Sequence, residues 1–196
     1  MDNQPLKHHF FVIMGPSGSG KTKVTEAVFP SEYKVVSHTT RKIREGERDH
    51  VDYYFETPEE FEKLIQNDAL VEYDFYHGNY YGVGKAAIFE KTNDHCAYDV
   101  LTFKGFQQIE QFFGSKVIPI YFDVSKDKVV SRLNIRESNP VTIEQRLKLY
   151  DEEILVKNQV SSYPNSFIIN ANDDFEQVVA SLRQIVECID SIHCRE

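Results

Sequence analysis

The chain has 196 residues, 41% hydrophobic and 27% charged, with 22 basic against 31 acidic side chains and a formal net charge of -9. That size and composition suit one globular α/β domain with a sizeable core. The acidic balance argues against a general nucleic-acid or polyanion binder, while leaving room for a small anion in a locally basic cleft. Phe10 to Met14, the longest early apolar run, is far short of a membrane span, and the polar first nine residues carry no signal-peptide core. Cys96, Cys188 and Cys194 form no CxxC pair, so neither a disulfide framework nor a zinc site is expected, and a reducing cytoplasm is the expected setting.

No repeat, low-complexity tract or long linker interrupts the chain, so its organisation is read from alternating patterns. His9 to Met14 is a short apolar run ending at glycine, the pattern of a buried strand. A helix follows from about Gly20 to Phe29 and stops before Pro30. Tyr33 to Val36 is a second short strand, and residues 37–56 suit loops and short strands. Thr57-Pro58-Glu59-Glu60 opens a helix, with threonine as cap, proline in the first turn and glutamate three residues on. Phe61, Leu64 and Ile65 give that helix one apolar face.

Further along, Asp68 to Tyr76 holds a strand, Lys85 to Lys91 a short helix, Cys96 to Phe103 a strand and Lys104 to Phe113 a helix. Val117 to Phe122 is the clearest later strand, and Ser125 caps a helix reaching about Arg136. Thr142 and Gln145 repeat the capping-box pattern before a helix carrying Ile143, Leu147 and Ile154. Phe167 to Asn170 is the last strand. Phe175 to Ile192 closes the chain as a helix with Val178, Leu182, Ile185 and Ile189 in register. Strands alternating with helices predict an α/β fold, a mostly parallel sheet flanked by helices.

One motif dominates. Gly15-Pro16-Ser17-Gly18-Ser19-Gly20-Lys21-Thr22 satisfies G-x-x-x-x-G-K-[ST], with a strand before it and a helix after it. Consecutive N–H groups of such a loop cradle phosphate oxygens, and the helix adds its positive dipole end. Lys21 is expected to reach the β- and γ-phosphates of a nucleotide and the Thr22 hydroxyl to ligate Mg²⁺. On the acceptor side, Arg41 and Arg44 lie three apart in a loop-like segment, where two guanidinium forks can grip one phosphate. Tyr53 and Tyr81 add uncharged hydroxyl donors. Taken singly, each of these side chains also suits an ordinary surface or core position.

Together these segments resemble guanylate kinase. The resemblance is carried by GPSGSGKT at 15–22, SHTTRKIREGE at 37–47, VDYYF at 51–55, EEFEKLI at 59–65, VEYDFYHGNYYG at 71–82, and the arginine-bearing RLNIR and IEQRL at 132–136 and 143–147. It runs through nearly the whole chain in order. It implies a P-loop kinase fold: a five-stranded, mostly parallel core sheet (residues 1–36, 96–134 and 146–196), a nucleoside-monophosphate-binding subdomain (37–95) and a mobile lid (135–145). It implies transfer of the γ-phosphoryl of ATP, with Mg²⁺, to GMP or dGMP, with no nucleic-acid or membrane partner; it sets no oligomeric state. By position, Gly15, Ser17, Gly18, Ser19, Gly20, Lys21, Thr22, Arg132 and Asn170 match the ATP site, Thr22 being the residue for the metal. Asn172 offers a competing match for Asn170. Ser37, Arg41, Arg44, Tyr53, Glu72 and Tyr81 match the GMP site, with Ser37 and Glu72 on the guanine. Lys21, Arg41, Arg136 and Arg146 match the groups acting on the transferring phosphoryl.

The chain also departs from the family's pattern around the base and the metal. Val83 stands where a hydroxyl usually follows Tyr-Gly. Val100 and Thr102 occupy the places of two acidic residues, and Lys104 replaces a glutamine. The lid is about one residue shorter and carries Ser138-Asn139-Pro140. Asp99 would replace a lost carboxylate only if the strand slipped by one residue, and such a slip turns every side chain to the opposite face. That argues against compensation by Asp99, while a gap in the match just before this strand leaves its register open. These departures keep two other readings open: a kinase of this fold with another acceptor base, and a binding or regulatory module with weak catalysis.

Overall fold

The computed structural model describes residues 5–76, 78–136 and 140–193, giving the backbone alone at 76, 136, 140–143, 145, 146 and 191–193. In chain order the elements are β1 (Phe10–Met14), α1 (Lys21–Val28), β2 (His38–Thr39), β3 (Tyr54–Phe55), α2 (Pro58–Gln66), β4 (Leu70–Tyr76), β5 (Asn79–Gly84), α3 (Lys85–Lys91), β6 (Ala97–Val100), α4 (Phe103–Phe113), β7 (Val117–Asp123), α5 (Lys126–Arg136), α6 (Pro140–Glu153), α7 (Val156–Val160), β8 (Phe167–Asn170) and α8 (Phe175–His193). They form one sheet in the order β6-β1-β7-β8 and another in the order β3-β2-β5-β4.

The chain divides into two compact units. The first comprises Met1–Phe10, Glu32–Asp99 and Lys104–Val117. Its sheet is mixed: β2 runs parallel to β3 and antiparallel to β5, and β5 pairs antiparallel with β4. Phe61, Val83, Ile88, Phe106 and Ile109 fill its core. The capping box expected at the start of α2 is formed, with the Glu60 N–H donating to Thr57 Oγ1 (3.2 Å) and the Thr57 N–H to Glu60 Oε2 (2.8 Å). The second unit comprises Phe11–Ser31, Val100–Phe103 and Ile118–Glu196. Here β7 and β8 pair in parallel, Ile120 opposite Phe167 and Asp123 opposite Asn170. Every residue of β1 is buried, as in a strand covered on both faces, and α1 packs on α8.

Several elements differ from the sequence expectations, each for a local reason. The segment at Tyr33–Val36 is a 3-10 turn at Ser31–Tyr33 followed by a single parallel bridge, Lys34 to Tyr98. The fifth sheet position is thus a bridge beside four strands. Strand β5 was not expected, because NYYGVG shows no alternation of apolar and polar residues; it pairs with β4 through a turn containing Gly78 at φ 77°. Helix α6 begins at Pro140, ahead of Thr142, since proline's fixed φ and missing N–H suit a first turn. Phe103 belongs to α4, and Ile154 falls between α6 and the separate short helix α7.

Candidate functional site

The phosphate loop, in the second unit, leaves β1 and enters α1. Gly15 stands at φ +137°, and a Cβ there would lie 2.7 Å from the Phe122 carbonyl oxygen, so only glycine fits. The Ser19 N–H closes the turn on the Pro16 carbonyl at 3.0 Å. Lys21 folds back over the loop, its Nζ donating to the carbonyls of Gly15 (2.6 Å) and Pro16 (2.9 Å). Burial draws the Lys21 ammonium down to about 8, with Glu153 opposing the shift. Thr22 is exposed in the first turn of α1.

Two side chains from later helices hold this loop. Arg132, on α5, donates from Nη1 to the Ser19 carbonyl (2.9 Å) and the Gly18 carbonyl (3.3 Å), and from Nη2 to the Ala171 carbonyl (3.0 Å). Glu153, the last residue of α6, accepts the Ser17 N–H at 2.9 Å. Burial raises the Glu153 carboxyl, while the Ser17 N–H and Lys21 oppose the rise. Sequence reading missed Glu153 because nothing local marks a helix-terminal glutamate. Asn170 is exposed at the end of β8 and bonds within its own turn, to Asp173 (2.8 Å) and Asn172. Asn172 is the asparagine that reaches the loop before α5, accepting the Ser125 N–H at 2.8 Å. Arg136 ends α5 and Arg146 lies within α6; their side chains, with residues 137–139, lie outside the described residues.

The first unit gathers the acceptor-side residues. Arg41 is forked on Glu47, Nη1 to Oε2 and Nη2 to Oε1, both at 2.9 Å. Its guanidinium also lies over the rings of Tyr53 (5.3 Å) and Phe55 (5.6 Å). Glu47, another residue the sequence reading did not single out, accepts the Arg44 N–H as well, at 2.9 Å. Arg44 itself is exposed. Tyr53 meets Tyr81 edge to face at 6.2 Å. Burial, with the Asp99 carboxylate, pushes the Tyr53 phenol up to about 12, so it stays a hydroxyl at neutral pH.

Buried beside these is a carboxylate pair. Ser37, Glu72 and Asp99 are all buried, and the Ser37 hydroxyl donates to Asp99 Oδ2. The register that the sequence leaves open is thus decided by the structure: Asp99 faces Ser37. Side chains alternate along β6, and the strand presents Asp99 to Ser37 in place of Val100. Burial first, then the Asp99 and Asp74 carboxylates, raises the Glu72 carboxyl to about 8, with Lys104 opposing. Lys104 is ion-paired to Asp74 at 2.6 Å. Val83, fully buried, sits opposite Glu72 in the β4–β5 ladder, and its side chain has no polar atom to offer.

Among the described residues no group of three or more His, Cys, Asp or Glu side chains is placed to hold a metal ion. No helix of the described residues is long and apolar enough to cross a membrane.

The guanylate kinase family model matches residues 7–189. A guanylate kinase of Polaromonas sp. is 34% identical over 183 residues, covering 91% of this chain and 86% of the relative. One of Mycoplasma pneumoniae is 33% identical over 184 residues, covering 90% and 74%. Among solved structures, the guanylate kinase of Anaplasma phagocytophilum superposes with a TM-score of 0.68 at 25% identity, covering 94% of this chain and 87% of that one. With the family model spanning nearly the whole chain and the phosphate loop in place, the chain belongs to the guanylate kinase family.

Proposed function

We infer that this chain transfers the γ-phosphoryl of ATP to GMP or dGMP, yielding ADP and GDP or dGDP. Family membership along nearly its full length supports this activity. The observation that carries the acceptor is the buried Ser37–Asp99–Glu72 group. Ionised Glu72 accepts from the guanine N1–H and 2-amino group, which no other common base presents together. Asp99 supplies a carboxylate that the sequence seemed to lack, and Arg41, Arg44, Tyr53 and Tyr81 take the acceptor phosphate.

For the donor, Gly15 to Thr22 and Arg132 take ATP and Asn170 or Asn172 serves the adenine, while Lys21, Arg41, Arg136 and Arg146 neutralise the charge of the transferring phosphoryl. Phosphoryl transfer needs positioning and charge neutralisation more than covalent help, which is what this set of cations supplies. Mg²⁺ fits the residues present: it prefers substrate phosphates, waters and one or two protein oxygens to a dedicated cage, and the exposed Thr22 hydroxyl offers such an oxygen. When bound it supplies further neutralisation of the phosphate oxygens. In domain terms, residues 37–95 are the acceptor subdomain, 135–145 the lid and the rest the core. A reducing cytoplasm suits a chain in which Cys96, buried, and Cys188, exposed, are both thiols.

The test is ADP release from ATP and Mg²⁺ with GMP, dGMP, AMP, CMP, UMP and dTMP in turn. Turnover with GMP and dGMP at least a hundredfold above the others is expected. Comparable turnover with another base would move the acceptor assignment. ATP binding without turnover on any acceptor would make the chain a non-catalytic member of its family.

A further inference from the structure

Resting on the assignment of ATP to the phosphate loop, we propose that Glu153 is a positioning residue of the donor site, holding the loop in its ligand-ready turn by accepting the Ser17 N–H. The contact is 2.9 Å long and joins residues 136 apart in sequence. The loop it holds is intrinsically soft: Gly15, Gly18 and Gly20 all stand at positive φ, conformations that glycine adopts but does not enforce. Arg132 holds the middle of the loop by the Gly18 and Ser19 carbonyls. Glu153 holds its beginning by an N–H. The loop is thus gripped through a donor at one point and through acceptors at the next, from two different helices.

The sign of the charge supports positioning over attraction. A carboxylate beside an anion-binding loop repels phosphate, so its benefit lies in geometry. Lys21 offsets part of that charge. A loop already ordered binds without the entropic cost of ordering on arrival.

The end of α6 is anchored independently of the Glu153 side chain. The Tyr121 hydroxyl donates to the Glu153 backbone carbonyl (2.9 Å), the Tyr150 hydroxyl to the Val124 carbonyl (2.8 Å), and Lys126 pairs with Asp151 (2.6 Å). Changing the side chain therefore leaves the helix in place.

The experiment measures the ATP dissociation constant by calorimetry in the presence of Mg²⁺, with kcat and both KM values, for wild type, Glu153→Ala, Glu153→Gln and Glu153→Asp. Losing a hydrogen bond to a charged group predicts about a tenfold to hundredfold weaker ATP affinity in E153A. kcat at saturating ATP stays within about threefold, and KM for GMP is unchanged. E153Q, whose amide oxygen still accepts the N–H, stays within about threefold of wild type. E153D, one methylene short, weakens ATP as E153A does and carries the test if E153A does not fold.

The proposal is overturned by unchanged ATP affinity in E153A and E153D, or by tighter binding, which would mean that the carboxylate competes with phosphate. It is equally overturned if E153Q is as weak as E153A, or if KM for GMP rises in parallel. Failure of the functional assignment is a separate result, visible in the wild-type protein as absent ATP binding or absent GMP turnover.

Discussion

At the scale of single residues, charge is placed where burial alters it. Glu72 carries the clearest consequence: its folded carboxyl titrates at about 8 against an ordinary 4.5. The folded protein then binds a proton that the unfolded chain has released, so this group's contribution to stability is fully present below about pH 4.5 and is lost as the pH rises through 8. Glu72→Gln removes that dependence. Urea unfolding between pH 5 and 9 is expected to show wild type losing stability relative to E72Q as pH rises; parallel curves would refute it. The proposed role of Glu72 in guanine binding predicts the opposite trend for catalysis, since the carboxyl would have to be ionised to accept from the base. E72Q is thus expected to be the more stable protein above neutrality and, by the loss of a charged acceptor, at least tenfold poorer in kcat/KM for GMP. The motifs single out Glu72 and Ser37, and the structure buries both. The direction of the Asp99 side chain was not legible, because it depends on the register of β6, and a pattern of residue types does not fix register.

At the scale of elements, the β4–β5 hairpin places Glu72 and Tyr81 on neighbouring strands. Gly82 leaves no room for a side chain between them. A Cβ there would lie 3.0 Å from the Glu72 carbonyl oxygen, from Leu70 Cδ1 and from Phe61 Cζ. The oxygen is backbone and Phe61 is fully buried, so neither yields cheaply. Gly82→Ala is expected to cost about 1–3 kcal/mol of stability and to raise KM for GMP severalfold, while KM for ATP stays unchanged. A denaturation curve with the two KM values checks this; an equal rise in both KM values would contradict it. The hairpin itself escaped sequence reading. Its second strand is written in tyrosine and glycine, and its partner, not any alternation of its own, holds it extended.

At the scale of the whole molecule, ligand binding and folding are linked. GMP at about a hundredfold above its dissociation constant adds about 2.7 kcal/mol to the folded state, which for a chain of this size raises the melting temperature by about 5–10 °C. CMP and UMP at the same concentration are expected to leave it unchanged, since neither presents the guanine donor edge to Glu72. A thermal shift with all three nucleotides reads this directly, and an equal rise with CMP would mean that the site holds the phosphate and ignores the base.

The sequence by itself determined the α/β alternation, the phosphate loop and the kinase family. These are written locally: glycine where φ must be positive, proline and threonine where a helix starts, and apolar runs where a strand is covered on both faces. Only the tertiary structure decided that Asp99 meets Ser37, that Glu47 grips Arg41, that Asn172 reaches Ser125 and that Glu153 accepts the Ser17 N–H. The Asp99 and Glu153 contacts join residues 62 and 136 positions apart. Strand register and helix packing bring such partners together, and neither leaves a mark on the residues next to them in the chain.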